Sequence, residues 1–430
     1  MALPSPVGAA AGSEVQAPGP RYEVADIVRE HGARYLRTHP TTRAQRGVLR
    51  AIAHCRTAVL GGHREQCDAC GQQRLAYNSC RNRHCPKCQG AERARWLAAE
   101  QAMLLPVPYF HVVFTLPHLL NALVRVNRRR LYALLFHAAA ATLRTFARDP
   151  RHLGAEPAVT MVLHTWGQTL TEHFHVHCVV SGGGLSPEGG AWVSLPTGKH
   201  KRRRPFLFPV RSLSEVFRGK YIAALKRARD QQRLHFAGHS ADLADPVRWQ
   251  ALIGALAQTD WVVYSKPPFG RPAQVLAYLS RYTHRVAIAN SRLRHVGGGV
   301  VRFRYRDYAD HHAEKEMTLP AEEFLRRFLL HVLPRGFMRI RHYGILANCQ
   351  RDPKLTRCRE LLRGPAGPSP ASQTEADPAA PTGAMDPAAR PPAPPALLCP
   401  TCGGPLRVVE IIPPARREGP LRPAVPYDTS

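Results

Sequence analysis

Two pairs of closely spaced cysteines constrain the fold of this chain more than any other feature. The segments CDAC and CPKC are separated by 14 residues, and each C-x-x-C pair brings two thiolates close enough to share one metal ion. Four thiolates favour a tetrahedral zinc ion, and so small a module gains much of its folding free energy from the metal. The four predicted zinc ligands are Cys67, Cys70, Cys85 and Cys88. Cys80 and His84 lie in the same module, and either could replace one of the four.

A further C-x-x-C pair, Cys399 and Cys402, lies near the other end of the chain. One pair supplies only half of a tetrahedral shell, so it needs two more ligands. Cys349 and Cys358 lie on the near side of a proline-rich segment and are the candidates. The alternative is that Cys399 and Cys402 are two exposed thiols.

The net charge of the chain indicates a polyanionic partner. Its 60 basic and 31 acidic side chains give +29 over 430 residues, and the basic residues recur along the whole sequence. This distribution favours nucleic acid, against the alternative of a basic, solvated surface. No run of 18 apolar residues predicts a transmembrane helix, and the first 20 residues resemble a disordered tail rather than a signal peptide. We therefore expect a cytoplasmic protein with reduced cysteines.

Hydrophobic periodicity predicts a mixture of helices and strands, with the strands in the central region. Helical spacing covers most of residues 21–60 and 121–148, and also the segments AERARWLAAEQAMLL, RPAQVLAYLSRYTH and AEEFLRRFLLHVL. The predicted strands are YFHVVFTL, AVTMVLHTWGQ, FHVHCVVSGGG, TDWVVYSK, RVAIAN and VVRFRYRDY. Residues 364–396 are rich in proline and alanine and predict a linker, followed by a C-terminal tail over 397–430.

Histidines occupy every second position of the segment EHFHVHCVVSGGG. On a strand, His173, His175 and His177 would share one face, while Phe174, Val176 and Cys178 would share the other. His175 and His177 flank one apolar residue and can reach the same divalent ion, with Mn²⁺, Zn²⁺ or hydrated Mg²⁺ as candidates. The alternative is a histidine-rich surface strand.

A third histidine can join this face if the two strands before and after Leu170–Thr171 form a hairpin. That register places His164 roughly opposite His177, with His173 as the second choice for a third ligand. A slip of one residue would turn His164 away from the site.

Tyr278 and Tyr282 are four residues apart in a predicted helix and therefore lie on one helical face. They are either an aromatic stripe of the core or nucleophiles whose attack on a phosphodiester a metal ion assists, giving a 5′-phosphotyrosine. Arg281 and Arg285 could hold phosphates nearby. A basic run could do the same, unless it is a solvated loop; its residues are Lys199, Lys201, Arg202, Arg203 and Arg204.

Six stretches of the chain resemble the two-tyrosine HUH-endonuclease transposases, in particular the rolling-circle insertion-sequence group numbered ninety-one. They are NSCRNRHCPKCQG, VPYFHVVFTLPH, HTWGQ, HFHVHCVVSGGG, VLAYLSRYTHRVAI and LPRGFMRIRHYGILAN. The resemblance implies an α+β fold in which a helical, zinc-ribbon-like domain (residues 21–100) precedes an HUH-type antiparallel sheet with helices (residues 101–350). It also implies His175 and His177 as ligands of catalytic Mg²⁺ or Mn²⁺, Tyr278 and Tyr282 as nucleophiles, and structural zinc.

The family nicks single-stranded DNA at the end of a mobile element and becomes attached to its 5′ end. The resemblance therefore implies single-stranded DNA at element ends and target sites as the partner, in a bacterial cytoplasm at the nucleoid, with host replication proteins as further candidates. Two other functions remain open: a plasmid or phage replication initiator with the same chemistry, and a non-catalytic, zinc-dependent DNA-binding protein.

Overall fold

The computed structural model of the protein describes residues 21–195, 207–269, 274–275, 287–308, 310–363 and 398–415. Its helices are α1 (Val24–Thr38), α2 (Arg43–His54), α3 (Gln89–Met103), α4 (Asn121–Val126), α5 (Arg128–Arg148), α6 (Val210–Asp230), α7 (Pro246–Gln258), α8 (Ala321–Leu330) and α9 (Arg351–Arg363). Its strands are β1 (Gly62–Cys67), β2 (Gln73–Tyr77), β3 (Tyr109–Thr115), β4 (Glu156–Trp166), β5 (Glu172–Leu185), β6 (Trp192–Ser194), β7 (Val263–Phe269), β8 (Leu293–Gly297), β9 (Val300–Asp307), β10 (Ala313–Pro320), β11 (Ile340–Gly344) and β12 (Leu406–Ile412). Helices and antiparallel sheets combine, so the predicted α+β class is confirmed.

An antiparallel sheet with the order β11-β4-β5-β3-β7 forms the centre of the molecule, and β6 pairs with the end of β5. Strand β5 is 14 residues long and is hydrogen-bonded on both sides, to β4 and to β3. The predicted hairpin of β4 and β5 is confirmed, with its turn between Trp166 and Glu172.

One face of this sheet is apolar and packs against α5 and α6. Alternate residues of β3 and β5, among them Phe114, Phe174 and Val176, are almost fully buried in one cluster with Leu131 of α5 and Phe217 of α6. Burial of side chains of this size contributes about 1.5–3 kcal/mol each. The apolar side of the histidine strand therefore faces the main core, as the alternating pattern predicts.

The opposite face of the sheet has two regions. Around Tyr109 and Val179 it is apolar and packs with Leu355 and Cys358 of α9 in a second cluster. Farther along β5, on the same face, lie the histidines. The histidines thus lie beside an apolar cluster on one face of the sheet, and the main core covers the other face.

A separate core joins the two N-terminal helices to a distant part of the chain. Leu49 and Ile52 of α2 are buried together with Phe303 of β9 and Phe324 of α8. Helix α2 begins at Thr42, whose side chain accepts a hydrogen bond from the backbone N–H of Gln45 in a capping box. The predicted helices between residues 21 and 60 are confirmed, and they depend on residues beyond 287 for their packing.

Two predicted elements differ from the structure. The helical region 121–148 is broken at Asn127, whose side chain exchanges two hydrogen bonds with the backbone of His235. The predicted strand RVAIAN is wrong in its described part, because Ala287 and Ile288 are both buried and Asn290 begins a single 3-10 turn. The Asn290 side chain accepts a hydrogen bond from the backbone of Val24, which holds this segment against α1 rather than in a sheet.

In the described part of the chain, two three-stranded antiparallel sheets accompany the central one. The first has the order β10-β9-β8. In the second, with the order β12-β1-β2, the C-terminal strand β12 pairs with β1 of the cysteine module. Within the described ranges, no helix has the length and apolarity needed to cross a membrane.

Candidate functional site

Three histidines converge on one face of the central sheet. His164 from β4 and His175 and His177 from β5 each place a ring nitrogen within 4.8 Å of the others. The Nε2 atoms of His175 and His177 are 3.1 Å apart. All three side chains are at most 8% exposed. A surface strand of histidines would not show this convergence or this burial, so the arrangement favours a metal centre.

The register of β4 and β5 brings His164 into the group. His164 lies directly opposite His175, and Val162 lies opposite His177. The predicted pairing of His164 with His177 is therefore wrong by two residues. A shift of two residues leaves a side chain on the same face of the sheet, so His164 still points towards the predicted site. His173, the second choice, lies outside the group, and its ring packs against that of His118 with centroids 5.6 Å apart.

Hydrogen bonds to the other ring nitrogens orient two of the imidazoles. The Nδ1–H of His175 donates to the carbonyl oxygen of His173 at 2.8 Å, and because a carbonyl only accepts, the lone pair of this ring is on Nε2. The Nδ1 of His177 is 2.9 Å from Nε2 of His111 on β3. Both rings therefore turn Nε2 towards the centre of the group, as metal-binding histidines usually do.

His111 is a site residue that the sequence analysis missed. It lies in the predicted strand YFHVVFTL, two positions before Val113, which pairs with His177. A period of two along β3 puts its side chain on the histidine face. The sequence predicts the strand that contains His111, but only the pairing of β3 with β5 shows that this side chain lies beside the histidine group.

Burial favours the neutral form of the His175 and His111 imidazoles. Desolvation, with the neighbouring His164 and His173, holds the pKa of His175 well below its usual range. Burial is also the main cause that lowers the pKa of His111 to about 3. Neutral imidazole is the form that binds metal ions, so at neutral pH His175 can act as a ligand without first losing a proton. Three nitrogen ligands fit a transition ion such as Mn²⁺, or hydrated Mg²⁺, and leave coordination positions for a phosphate oxygen.

Among the described residues the cysteines form two clusters, and neither has the ligand set that the sequence predicted. The first contains Cys55, Cys80, Cys85 and Cys88, with Sγ atoms of Cys55 and Cys80 each 3.5 Å from that of Cys88. Zinc–sulfur bonds of about 2.3 Å in a tetrahedron separate the sulfurs by about 3.8 Å, whereas a disulfide bond is only about 2.05 Å long. The first cluster therefore fits one structural zinc ion, which would join the end of α2 to the start of α3.

Cys67 and Cys70 lie in the second cluster, so the predicted grouping of Cys67 and Cys70 with Cys85 and Cys88 is wrong. The reason is local, because Cys67 ends β1 and Cys70 lies in the turn before β2, at the tip of a hairpin. Of the two spare donors, Cys80 is a cluster member. His84 is not, and its Nε2 accepts the backbone N–H of Leu333 at 3.4 Å.

The C-terminal pair, Cys399 and Cys402, completes the second cluster together with Cys67 and Cys70. The expectation that Cys349 and Cys358 would supply the missing ligands is wrong. Cys358 is buried in the apolar cluster under α9, where burial raises its pKa to about 11, and Cys349 is exposed.

Several predicted site residues lie outside the described residues. They are Tyr278, Tyr282, Arg281, Arg285, Lys199, Lys201, Arg202, Arg203 and Arg204. The described residues on either side of the tyrosine segment lie near the histidines. Before it, Val275 is buried in the same cluster as Val179, on the face of the sheet that carries the histidines. After it, Ala287 lines a small cavity together with Trp166. The ring of Trp166 stacks on that of His164, with 4.5 Å between the centroids.

The chain is similar in sequence to known transposases. Residues 158–353 match a family model described as a putative transposase, and residues 27–116 match a transposase zinc-binding domain. The chain is 51% identical over 355 residues to the "Putative transposase y4qJ" of Sinorhizobium fredii (strain NBRC 101917 / NGR234), an alignment that covers 82% of this chain and 87% of that protein. It is 29% identical over 350 residues to the "Transposase for insertion sequence element IS801" of Pseudomonas savastanoi pv. phaseolicola, covering 80% and 79%.

No solved structure matches the chain significantly. The two family models cover both the cysteine module and the histidine face, and the relatives align over most of their lengths. The chain therefore belongs to the IS91 family of transposases.

Proposed function

We propose that this transposase nicks single-stranded DNA with a tyrosine nucleophile, assisted by a divalent ion at the histidine site, and joins the resulting 5′ end to a new 3′-hydroxyl in rolling-circle transposition. The observation that carries the proposal is the buried group of His164, His175 and His177, in which the rings of His175 and His177 turn Nε2 inwards. A purely structural role would not require three buried imidazoles to bring their ring nitrogens within 4.8 Å of one another.

The bond changes follow from the chemistry of a phosphodiester. The Oη atom of Tyr278 or Tyr282 forms a bond to the phosphorus, and the bond from phosphorus to the 3′ oxygen breaks. That oxygen leaves as a free 3′-hydroxyl after it takes up a proton, while the tyrosine gives up its own proton. A bound Mg²⁺ or Mn²⁺ would polarise the phosphate and stabilise the charge that develops. The 5′-phosphotyrosine preserves the ester for a second transfer.

Three features of the chain support tyrosine as the nucleophile. Tyr278 and Tyr282 are spaced for one face of a helix. Val275 precedes them by only three and seven residues and is buried on the face of the sheet that carries the histidines. Both tyrosines lie within the part of the chain that matches the transposase family model.

The charge of the chain supports a nucleic-acid partner. As a transposase the protein acts on DNA, and the +29 net charge favours binding to its phosphates. We assign contacts with single-stranded phosphates to Arg281, Arg285 and the basic run from Lys199 to Arg204. Contacts of this kind position DNA without reading its sequence, so target choice belongs to other residues.

A nicking assay tests the metal-dependent part of this proposal. Single-stranded oligonucleotides that carry the ends of the encoding element are incubated with protein and Mn²⁺ or Mg²⁺, and the products are separated on denaturing gels. We expect His175→Ala to reduce nicking to the level seen with EDTA. His173→Ala is the matched control, because it keeps the backbone carbonyl that accepts from His175. Equal nicking by His175→Ala and wild type would contradict the proposed site.

A further inference from the structure

The second cysteine cluster is formed by two similar turns that are more than 300 residues apart in the sequence. The sequences CDACG and CPTCG both end in a glycine with positive φ, +72° at Gly71 and +74° at Gly403. In each turn the glycine N–H donates to the carbonyl of the first cysteine, at 3.0 Å and 2.9 Å. Such turns hold two thiolates on one side, ready to form half of a zinc shell.

The two turns meet sulfur to sulfur. The Sγ atoms of Cys67 and Cys402 are 3.4 Å apart, and those of Cys70 and Cys399 are 3.7 Å apart. All four sulfurs lie within 4.8 Å of one another. These distances resemble the 3.5 Å separations in the first cluster and approach the value of about 3.8 Å for tetrahedral zinc. They are much longer than a disulfide bond.

Contacts beyond the sulfurs fix the C-terminal segment in this position. Strand β12 pairs with β1 from Gly62 opposite Ile412 to Cys67 opposite Leu406. The Arg407 side chain donates to the carboxylate of Asp68 at 2.6 Å, inside the CDAC turn. The C-terminal turn is therefore held against its partner by a strand ladder and an ion pair, independently of any metal.

Gly404 shows how closely the two turns approach. A Cβ atom at this position would lie 2.7 Å from Cβ of Ala69 and 3.2 Å from Sγ of Cys67. Only glycine fits there without moving the opposing turn. Glycine is required at this position by the contact between the turns, because a Cβ atom at the neighbouring Gly403 would meet nothing within 4 Å.

We propose that Cys67, Cys70, Cys399 and Cys402 bind a second structural zinc ion, which closes the two ends of the chain on each other. The described residues 398–415 would then form an integral part of the zinc-binding region rather than a tail. The protein would hold two zinc ions, each bound by four cysteines. The matched zinc-binding domain spans residues 27–116 and does not reach the C-terminal pair. This inference is independent of the proposed DNA chemistry.

Differential alkylation of the full-length, reduced wild type tests this site without a mutation. Cys70, Cys402 and Cys349 are all exposed, so solvent burial alone would not distinguish them. With zinc bound, we expect Cys70 and Cys402 to resist iodoacetamide while Cys349 reacts, as read by mass spectrometry. A chelator should make all three reactive. If Cys70 and Cys402 react as fast as Cys349 in zinc-loaded protein, or are joined in disulfides, the proposal fails.

Cobalt substitution gives the stoichiometry. The cobalt–thiolate charge-transfer absorption reports only metal–sulfur bonds, so an ion at the histidines does not contribute. We expect Cys399→Ser/Cys402→Ser to lose about half of the wild-type intensity, as two equivalent four-thiolate sites require. Gly404→Val should also lose intensity although it removes no ligand, and Cys349→Ser should lose none. Full intensity in the double variant would overturn the second site.

Discussion

The imidazole of His175 illustrates how individual atoms determine what the site can bind. Its Nδ1–H donates to the backbone carbonyl of His173, and this bond leaves the lone pair of Nε2 directed at His177. The strand thus fixes a ligand tautomer with its own backbone. For His177, the Nδ1 atom lies 2.9 Å from Nε2 of the His111 side chain on the neighbouring strand β3.

His111→Phe tests whether this side chain orients a metal ligand. Phenylalanine keeps the volume and burial but removes the hydrogen bond to Nδ1 of His177. Loss of such an outer partner typically weakens metal binding by about 10- to 100-fold. We expect a decrease of this size in Mn²⁺ affinity, measured by electron paramagnetic resonance titration, and wild-type affinity in His173→Ala. Unchanged affinity in a folded His111→Phe would show that His111 does not position His177.

His331 makes the stability of the protein depend on pH. It is buried, its Nε2–H donates to the carbonyl of Leu170 at 3.0 Å, and its Nδ1 accepts from the hydroxyl of Thr165 at 3.2 Å. Burial is the main cause that lowers its pKa to about 4, and Arg128 adds to the effect. His331 lines the small cavity beside Trp166, together with His84 and Arg339.

Because this pKa is lower in the folded than in the unfolded state, the stabilisation is complete above about pH 6.5 and is lost as the pH falls towards 4. Between pH 7 and 5 the loss from this one group is about 2 kcal/mol. We expect denaturant unfolding of His331→Gln to show a correspondingly weaker pH dependence than wild type. The exposed His312 provides the control, and an identical pH dependence in His331→Gln and wild type would contradict this role.

Among the elements, strand β5 contains both the proposed metal ligands and glycines that the packing of the sheet requires. Its first half presents His175 and His177, and its second half contains the glycines of SGGG, which continue the strand rather than form a turn. A Cβ atom at Gly184 would lie 2.6 Å from the carbonyl oxygen of Glu156 on β4. The absence of a side chain there permits the close pairing that holds β4, with His164, beside β5.

Gly184→Val should therefore destabilise the sheet, by about 1–3 kcal/mol as is usual for overpacking. Gly190→Ala is the matched control, because a Cβ atom there meets nothing within 4 Å. Thermal unfolding monitored by circular dichroism should show a lower midpoint only for Gly184→Val. Equal midpoints for the two variants would indicate that the sheet adapts without cost.

The sequence predicted the strands and the metal-binding cysteines better than it predicted which of them lie next to one another. Alternation along EHFHVHCVV identified both faces of β5, because burial of one face imposes a period of two. The hairpin register was two residues off, since Trp166 pairs with Glu172 and the turn is therefore centred on Thr169 rather than between Leu170 and Thr171. Spacing predicted that the cysteines bind metal. It could not reveal that Cys67 pairs with Cys402, because a strand contact across the Pro-rich segment, and not local sequence, joins them.

At the scale of the whole molecule, distant segments depend on one another. The core formed by α1 and α2 also contains residues of β9 and α8, and the first cysteine cluster lies at the edge of this core through Cys55, Cys85 and Cys88. Loss of metal at this cluster should therefore affect the packing of residues far beyond the matched zinc-binding domain.

Cys85→Ser tests this coupling, because Cys85 is fully buried in the first cluster. We expect faster amide hydrogen exchange in α1 and α2 and also in α8, since all three share buried side chains. Exchange in α5, whose buried side chains belong to the main core instead, should change much less. An effect confined to α1 and α2 would contradict a shared core, and Cys349→Ser should match the wild type.

The most direct test of the proposed function is to identify the residue that becomes attached to DNA. Protein and Mn²⁺ would be reacted with single-stranded DNA carrying the ends of the encoding element, the DNA digested to a nucleotide, and the modified peptide sequenced by mass spectrometry. We predict a 5′-phosphonucleotide on Tyr278 or Tyr282, lost in the double Tyr→Phe variant and in His175→Ala. An adduct on another residue, or none from folded, zinc-loaded protein that binds this DNA, would contradict tyrosine-based strand transfer.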